Sequence, residues 1–230
     1  IESEMLFLVL GKGKTGSLVA EVAHERGHGV RALDITENRG ASALTAPTLA
    51  GVDAVIDFTS AESAVENMRA VLALGSRIVV GTTGWYSHLA AMKELAHRRG
   101  GSLLYGTNFS IGVQKLFRLT AELARLDGYA FSIAETHHTT KLDAPSGTAL
   151  TLKEIIQSVR PQADVPITSH RVGDAKGEHV VLAKSDIDEL ELRHDAATRH
   201  GFAQGAVRAA EWLAKQPSGA WEFREIFDQL

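Results

Sequence analysis

The first hundred residues alternate between short, continuous apolar runs and longer stretches whose apolar residues recur three and four apart. Residues 5–10 form one such run, followed by 17–26 with Leu18, Val19, Val22 and Ala23 at helical spacing. A short run bounded by polar or glycine residues predicts a buried strand, and the 3.6-residue spacing predicts a helix lying against it. The alternation continues with strands over 29–35 and 51–59, a helix over 61–74, a strand over 76–80, a helix over 87–99 and a strand over 102–105. Strands separated by helices pair through crossovers, so the pattern predicts an α/β fold with a parallel sheet. Residues 41–50, rich in Ala and Thr and without clear period, predict a surface loop or a frayed helix.

Beyond Ser110 the rhythm changes. A helix over 111–126 leads to an alternating segment, 129–135, that predicts a strand. A helix over 148–159 follows, stopped by Pro161, with 161–166 as a connector. Short strands are predicted over 167–172, 178–183 and 190–194, with Gly173 and Gly177 bounding a hairpin turn. This is an α+β segment with a meander, placed after the first half. A last helix over 197–215, rich in small residues, ends near Pro217-Ser218-Gly219.

Composition narrows the function classes. With 230 residues, 44% of them hydrophobic and 23% charged, the chain is ordinary for a globular protein of one large or two modest domains. The absence of Cys excludes disulfides, thiolate metal sites and a cysteine nucleophile, and fits a reducing compartment, so a cytoplasmic location is expected. Residues 1–5 hold two acids and no basic cluster, and the apolar run after them is too short for a signal peptide or a span, so no membrane partner is expected. Ile1 in place of Met reads as a trimmed end. A formal net charge of −4 argues against non-specific nucleic-acid binding.

Two stretches carry chemistry. The first is Gly11-Lys12-Gly13-Lys14-Thr15-Gly16, between a predicted strand and a predicted helix. In that context the glycines allow a tight turn, close approach of backbone to a pyrophosphate, and close helix packing, with the phosphates on the helix N-terminus. Asp34, at the end of the second predicted strand, stands about 20 residues on, where an acid binds ribose hydroxyls. Three further loops leave carboxyl ends of strands at Phe58-Thr59, Gly81-Thr82-Thr83 and Thr107-Asn108. In an open α/β sheet ligands bind at that edge.

The second stretch is 135–149, with His137, His138, Lys141, Asp143 and Pro145-Ser146-Gly147-Thr148. Ser146 is a natural helix cap, and the amides of Gly147 and Thr148, with the helix dipole behind them, suit an anion such as a carboxylate. Lys141 adds positive charge. Adjacent His137 and His138 on extended chain point in opposite directions, so one can act as general acid while the other anchors substrate. Asp143 is expected to cap the turn before Pro145. No metal is expected, because neither His has a second ligand at i+3 or i+4 and there is no Cys.

Residues 135–149, Glu-x-His-His-x-x-Lys-x-Asp-Ala-Pro-Ser-Gly-Thr-Ala, resemble the signature of the bacterial dihydrodipicolinate reductases. The resemblance runs along the chain in order, through the glycine turn, Asp57-Phe58-Thr59, Gly81 to Gly84, Asn108 to Val113, the Arg171-x-Gly173 and Gly177-x-His179 pattern, and His194 to Ala206. It implies a Rossmann-like dinucleotide-binding domain over 1–108 and 206–230, and an α+β substrate and oligomerisation domain with a mixed sheet over 109–205. It implies His137 as catalytic acid, Lys141 as its partner in protonation and substrate binding, and His138, Ser146, Gly147 and Thr148 as the grip on the substrate carboxylates. Gly11 to Gly16, Asp34, Phe58, Gly81, Thr82, Thr83, Gly106, Thr107, Asn108 and Phe109 are the implied dinucleotide site.

The implied reaction is reduction of the cyclic dicarboxylate 4-hydroxy-tetrahydrodipicolinate, by NADH or NADPH, in the diaminopimelate and lysine pathway, by a homotetramer whose two domains close about 108–112 and 200–205. The chain departs from the family where the turn reads Gly13-Lys14-Thr15-Gly16 rather than Gly-Arg-Met-Gly, where the segment between the second and third strands is abbreviated, and where Ile35 rather than Arg follows Asp34. A carboxylate facing a 2′-phosphate is repulsive, so NADH is the expected preference, opposed by Lys12, Lys14 and Arg39. The rival readings are a Rossmann dehydrogenase of another amino or imino acid and a catalytically silent nicotinamide-binding sensor.

Overall fold

The computed structural model describes residues 4–230; the trimmed end read at Ile1 lies outside them. The chain divides into two compact units, Ile1–Phe109 with Phe202–Leu230, and Ser110–Gly201.

The first unit is built on six parallel strands: β1 (Leu6–Leu10), β2 (Gly29–Leu33), β3 (Ala54–Asp57), β4 (Arg77–Val80), β5 (Ser102–Tyr105) and β10 (Gly219–Glu222), in the order β10-β5-β4-β3-β1-β2. Helices α1 (Lys14–Glu25), α3 (Ala61–Ala73) and α4 (Leu89–Arg99) cross between successive strands. Strands β3 and β5 are buried along their whole length, which is why they read as unbroken apolar runs. The strand order reverses at β1, which has β2 on one side and β3 on the other. That reversal opens a crevice at the carboxyl ends of the strands, where the loops after Leu10 and Asp57 emerge.

Residues 41–50, read as a loop or frayed helix, hold the end of a short 3₁₀ turn, Arg39–Ala41, and a single helical turn, α2 (Ala46–Leu49). Leu44 and Leu49 pin the segment to the core. Strand β10 was not predicted. Its four residues are half-buried and too few to show a period, and the pairing of Trp221 with Leu104 that makes them a strand is tertiary.

The second unit holds α5 (Ile111–Leu123), β6 (Ala130–His137), α6 (Gly147–Val159), β7 (Ile167–Arg171), β8 (Glu178–Lys184) and β9 (Glu189–Asp195). Its sheet is mixed, in the order β7-β6-β8-β9, with β6 parallel to β7 and antiparallel to β8. Val113, Leu116 and Phe117 of α5 and Leu152 and Ile156 of α6 pack over Phe131 and Ile133 of β6 and Val181 of β8.

The hairpin expected at Gly173 and Gly177 does not form. Strand β6 lies between β7 and β8, and residues 172–177 carry the chain past its end, where Val172 N donates to His137 O at 2.8 Å and Thr139 N to Gly173 O at 3.1 Å. Both glycines have positive φ, +47° and +136°. Such turn residues mark a change of direction without naming the strand that receives it. The helix across the boundary between units, α7 (His200–Ala214), and the short α8 (Phe223–Ile226) complete the chain.

Candidate active site

In the first unit the glycine turn is fixed by contact. Gly11 has φ of +97° and donates its N–H to Leu33 O at 2.9 Å, and a Cβ there would lie 2.4 Å from Phe58 O. A Cβ on Gly16 would lie 1.8 Å from Gly11 O. Gly13 differs: nothing stands within 4 Å of a Cβ built on it. It is the N-cap of α1, no side chain caps that end, and the first turn holds Lys14 and Thr15 but no acid. A helix N-terminus without an acidic or capping side chain, behind an open glycine, is suited to a pyrophosphate.

Asp34 follows β2. Its Oδ1 accepts from Thr36 N at 2.8 Å, Thr36 Oγ1 at 2.7 Å and Glu37 N at 3.0 Å. The Thr36 hydroxyl foremost, then the Glu37 and Thr36 amides, hold the carboxyl below its ordinary range. Glu37 takes Asp34 N at 2.8 Å and the Lys12 ammonium at 2.6 Å. Beside this turn lies a cavity of about 370 Å³ lined by Ile35, Thr36, Arg39, Glu62, Ser63 and Glu66.

The other loops at this edge are linked through Phe58 and Asp57. A Cβ on Gly81 would meet the Phe58 ring at 2.2 Å, and that ring stands edge-on to Phe109 with centroids 6.4 Å apart. Phe109 itself is buried against Phe223, centroids 4.5 Å apart, and a Cβ on Gly106 would lie 2.9 Å from Phe223 Cβ. Asp57 is fully buried and accepts from Thr59 N, Thr59 Oγ1, Thr82 Oγ1 and Asn67 Nδ2 at 2.7–3.0 Å. Burial pushes its carboxyl up against these bonds. Thr82 Oγ1 also accepts from Thr59 N at 2.9 Å, so its side chain is spent on joining two loops. Thr83 is exposed, Thr107 half-buried and Asn108 buried.

In the second unit, β6 runs two residues beyond its predicted end and carries His137. Alternation along the strand puts Glu135 and His137 on the buried face and Thr136 and His138 on the other. Cross-strand register then places Ser169 of β7, Glu135 of β6, His179 of β8 and His194 of β9 in one row, with Arg171 beside His137. Glu135, fully buried, bonds His137 Nδ1 through Oε2 and accepts from Arg171 NH2 at 3.0 Å through Oε1. Arg171 NH2 also donates to Asp143 O at 2.6 Å. Burial raises the Glu135 carboxyl, but the Ser169 hydroxyl, the Arg171 guanidinium and His137 outweigh it and hold it at about 2. Burial lowers the His137 imidazole, which Glu135 opposes and the charges of Lys141 and Arg171 reinforce.

His179 stands edge-on to His137, ring centroids 5.0 Å apart, with Nε2 3.2 Å from Ser146 Oγ. Burial foremost, then the neighbouring His137, pushes it down to about 3, so it is neutral at physiological pH. Ser146 caps α6 by accepting from Ala149 N at 3.2 Å. Gly147 and the buried Thr148 begin that helix. His138 Nδ1 meets Thr140 Oγ1 at 2.7 Å. Lys141 Nζ is paired with both oxygens of Asp143, at 2.7 and 2.9 Å, so Asp143 holds the lysine of the loop as well as lying in its turn. The second unit thus brings His137, Lys141 with its partner, and the start of α6 into one connected network.

Glu135, His137 and His179 offer three donor atoms within 4.8 Å of one another, a set that zinc can use. The third member comes from a neighbouring strand, beyond the reach of an i+3 or i+4 search. The Arg171 guanidinium on the same carboxylate opposes a cation there, and both Glu135 oxygens are already engaged.

Two family descriptions match the chain: "Dihydrodipicolinate reductase, N-terminus" over residues 5–109 and "Dihydrodipicolinate reductase, C-terminus" over 112–227. The chain belongs to the dihydrodipicolinate reductase family. A 4-hydroxy-tetrahydrodipicolinate reductase of Christiangramia forsetii is 32% identical, covering 98% of this chain and 99% of that one. One from Natronomonas pharaonis is 35% identical over 93% and 96%. In fold, a dipicolinate-bound dihydrodipicolinate reductase from Paenisporosarcina sp. TG-14 matches with a TM-score of 0.76 at 23% identity, over 99% of this chain and all of that one. An amine dehydrogenase from Mycobacterium smegmatis shares the fold at a TM-score of 0.70 and 12% identity.

The sequence of 135–149 by itself gives no role to Glu135, and Arg171, His179 and His194 lie outside it. The signal was present for Glu135, two residues from His137 on an alternating strand. The others depend on register, which follows only once β6 is known to lie between β7 and β8.

Proposed function

We propose that this protein reduces 4-hydroxy-tetrahydrodipicolinate, through the dihydrodipicolinate formed by loss of water, to tetrahydrodipicolinate in the diaminopimelate and lysine pathway. Family membership over both units supports the reaction class. The observation that carries the site assignment is the network joining His137 to Glu135 and Arg171, and Arg171 to the loop that holds Lys141. Reduced nicotinamide, when bound, supplies a hydride to a ring carbon of the α,β-unsaturated imine.

The residues of this chain do the rest. The α6 N-terminus at Ser146, Gly147 and Thr148, with His138, holds the carboxylates, so the ring is oriented and negative charge is drawn away from it. Lys141 exchanges its Asp143 partner for a substrate carboxylate. His137 delivers a proton to the carbon next to the one that receives hydride. On the first unit Gly11 to Gly16 hold the pyrophosphate, with Gly13 leaving room for it. Asp34 takes ribose hydroxyls, and the cavity between Ile35 and Glu66 takes the adenine. Phe58, Gly81 to Thr83 and Gly106 to Phe109 border the nicotinamide half, with Phe109 and the Thr82 hydroxyl acting as supports behind it.

NADH is the preferred cofactor in this reading, because Glu37 occupies Lys12 and leaves the acid Asp34 to meet a 2′-phosphate. The working form is a homotetramer in the cytoplasm. The reading is tested by following loss of reduced nicotinamide with a panel of cyclic and open-chain imino acids. Turnover confined to freshly made 4-hydroxy-tetrahydrodipicolinate supports it, and faster turnover of another imino or amino acid replaces it.

A further inference from the structure

We propose that Glu135 is a positioning residue that fixes His137 with hydrogen on Nδ1, so that Nε2 is the nitrogen from which a proton passes to substrate. This rests on His137 being the proton donor in the function proposed above. The geometry has three parts. Glu135 is fully buried, with Oε2 on His137 Nδ1 and Oε1 accepting from the Arg171 guanidinium at 3.0 Å. An ionised carboxylate only accepts hydrogen bonds, so the nitrogen facing it must carry hydrogen. His137 Nε2 points elsewhere, toward Gly177, where an added Cβ would stand 3.2 Å from it.

The imidazolium carries hydrogen on both nitrogens; the Nδ1 hydrogen is held by Glu135, and the Nε2 hydrogen goes to the substrate carbon, whose electron pair forms the new C–H bond. What remains is neutral His137 with hydrogen on Nδ1, the form the carboxylate already selects, so no ring flip or tautomer exchange is needed before the next cycle. Arg171 holds the carboxylate at its far oxygen and donates to Asp143 O, tying the position of His137 to the loop that carries Lys141. The charged and titratable groups around the His137 ring are Glu135 on its own strand, Arg171 on β7, His179 on β8, and Lys141 with Asp143 in the loop. Of these Glu135 and Asp143 are the acids, and Glu135 is the one hydrogen-bonded to Nδ1.

The variant Glu135→Gln separates this role from simple packing. Arg171 donates to Oε1 and keeps the amide oxygen on its side, which turns the amide NH₂ toward His137 Nδ1 and demands that Nδ1 be the acceptor. The hydrogen then moves to Nε2. Nitrogen-15 spectra of the imidazole, recorded at mildly alkaline pH, are expected to show hydrogen on Nδ1 in the wild-type protein and on Nε2 in Glu135→Gln. In the assay with 4-hydroxy-tetrahydrodipicolinate, kcat is expected to fall about 100-fold with KM changed by less than about threefold. The alkaline limb of the kcat profile is expected to move to lower pH, because the variant no longer stabilises the imidazolium.

Wild-type spectra with hydrogen on Nε2 overturn the proposal, and they can be recorded even if the variant does not fold. So does a folded Glu135→Gln protein with unchanged kcat and pH profile. A wild-type protein that shows the Nδ1 tautomer but does not turn over the substrate removes the proposed reaction and leaves the pairing of Glu135 with His137 standing.

Discussion

Gly11 and Gly16 are in contact across the first turn of the chain: a Cβ on Gly16 would lie 1.8 Å from the Gly11 carbonyl oxygen, whereas one on Gly13 would meet nothing within 4 Å. The three glycines of one motif therefore do different work. Gly16 lets helix α1 sit against the strand, and Gly13 leaves space for a ligand.

That contrast gives the first prediction. Gly16→Ala is expected to lose stability, by about 1–3 kcal/mol for an overpacked backbone contact, and cofactor affinity with it. Gly13→Ala, at φ of −76°, is expected to keep its melting temperature within about 2 °C while cofactor affinity falls at least about tenfold, since the new methyl enters the pyrophosphate space. Calorimetric unfolding and titration with NADH check both. Equal loss of stability in the two variants contradicts the assignment.

The second prediction concerns cofactor choice. Lys12 is bound to Glu37 at 2.6 Å, so its charge already has a partner. Wild-type kcat/KM is expected to be higher with NADH than with NADPH, and Glu37→Gln is expected to shift the ratio several-fold toward NADPH by releasing Lys12. Tenfold better use of NADPH by the wild-type protein overturns the preference.

The third prediction is a dependence of stability on pH. The His179 imidazole is lowered by burial to about 3, against an unfolded value of about 6.5. A group that charges more readily unfolded than folded leaves full stability above the unfolded value and removes it as pH falls. Stability is therefore expected to fall between about pH 6.5 and pH 3, by several kcal/mol in the limit of a fully buried imidazole. Glu135, held at about 2, acts in the same direction below about pH 4.5. Denaturant unfolding across that range is expected to show a flatter profile in His179→Gln, and an unchanged profile contradicts the role of His179.

Much of the fold was legible because its physics is local. Strands β3 and β5 are buried throughout and read as apolar runs, and the helices between them read by period. The segments that escaped depend on distant partners. Strand β10 exists because Trp221 pairs with Leu104, and β7 and β8 are separated because β6 takes the place between them. The site divides the same way. Ser146 was legible as a cap because capping acts over three residues, and its bond from Ala149 N is present. The row of Ser169, Glu135, His179 and His194 was not, because each member lies on a different strand. Glu211 is a further case: it is buried with Arg26 at 2.6 Å and His28 at 2.7 Å, partners so distant along the chain that no local pattern links them.

The central claim is that residues 135–149 form the reaction centre, with His137 and Lys141 handling the proton and the substrate charge. Its most direct test is the turnover of 4-hydroxy-tetrahydrodipicolinate by the double variant His137→Gln and Lys141→Ala, with folding confirmed by circular dichroism. The expected result is a fall in kcat of about 1,000-fold or more, the combined scale of general acid catalysis and electrostatic stabilisation. A kcat within a few-fold of the wild-type value contradicts it.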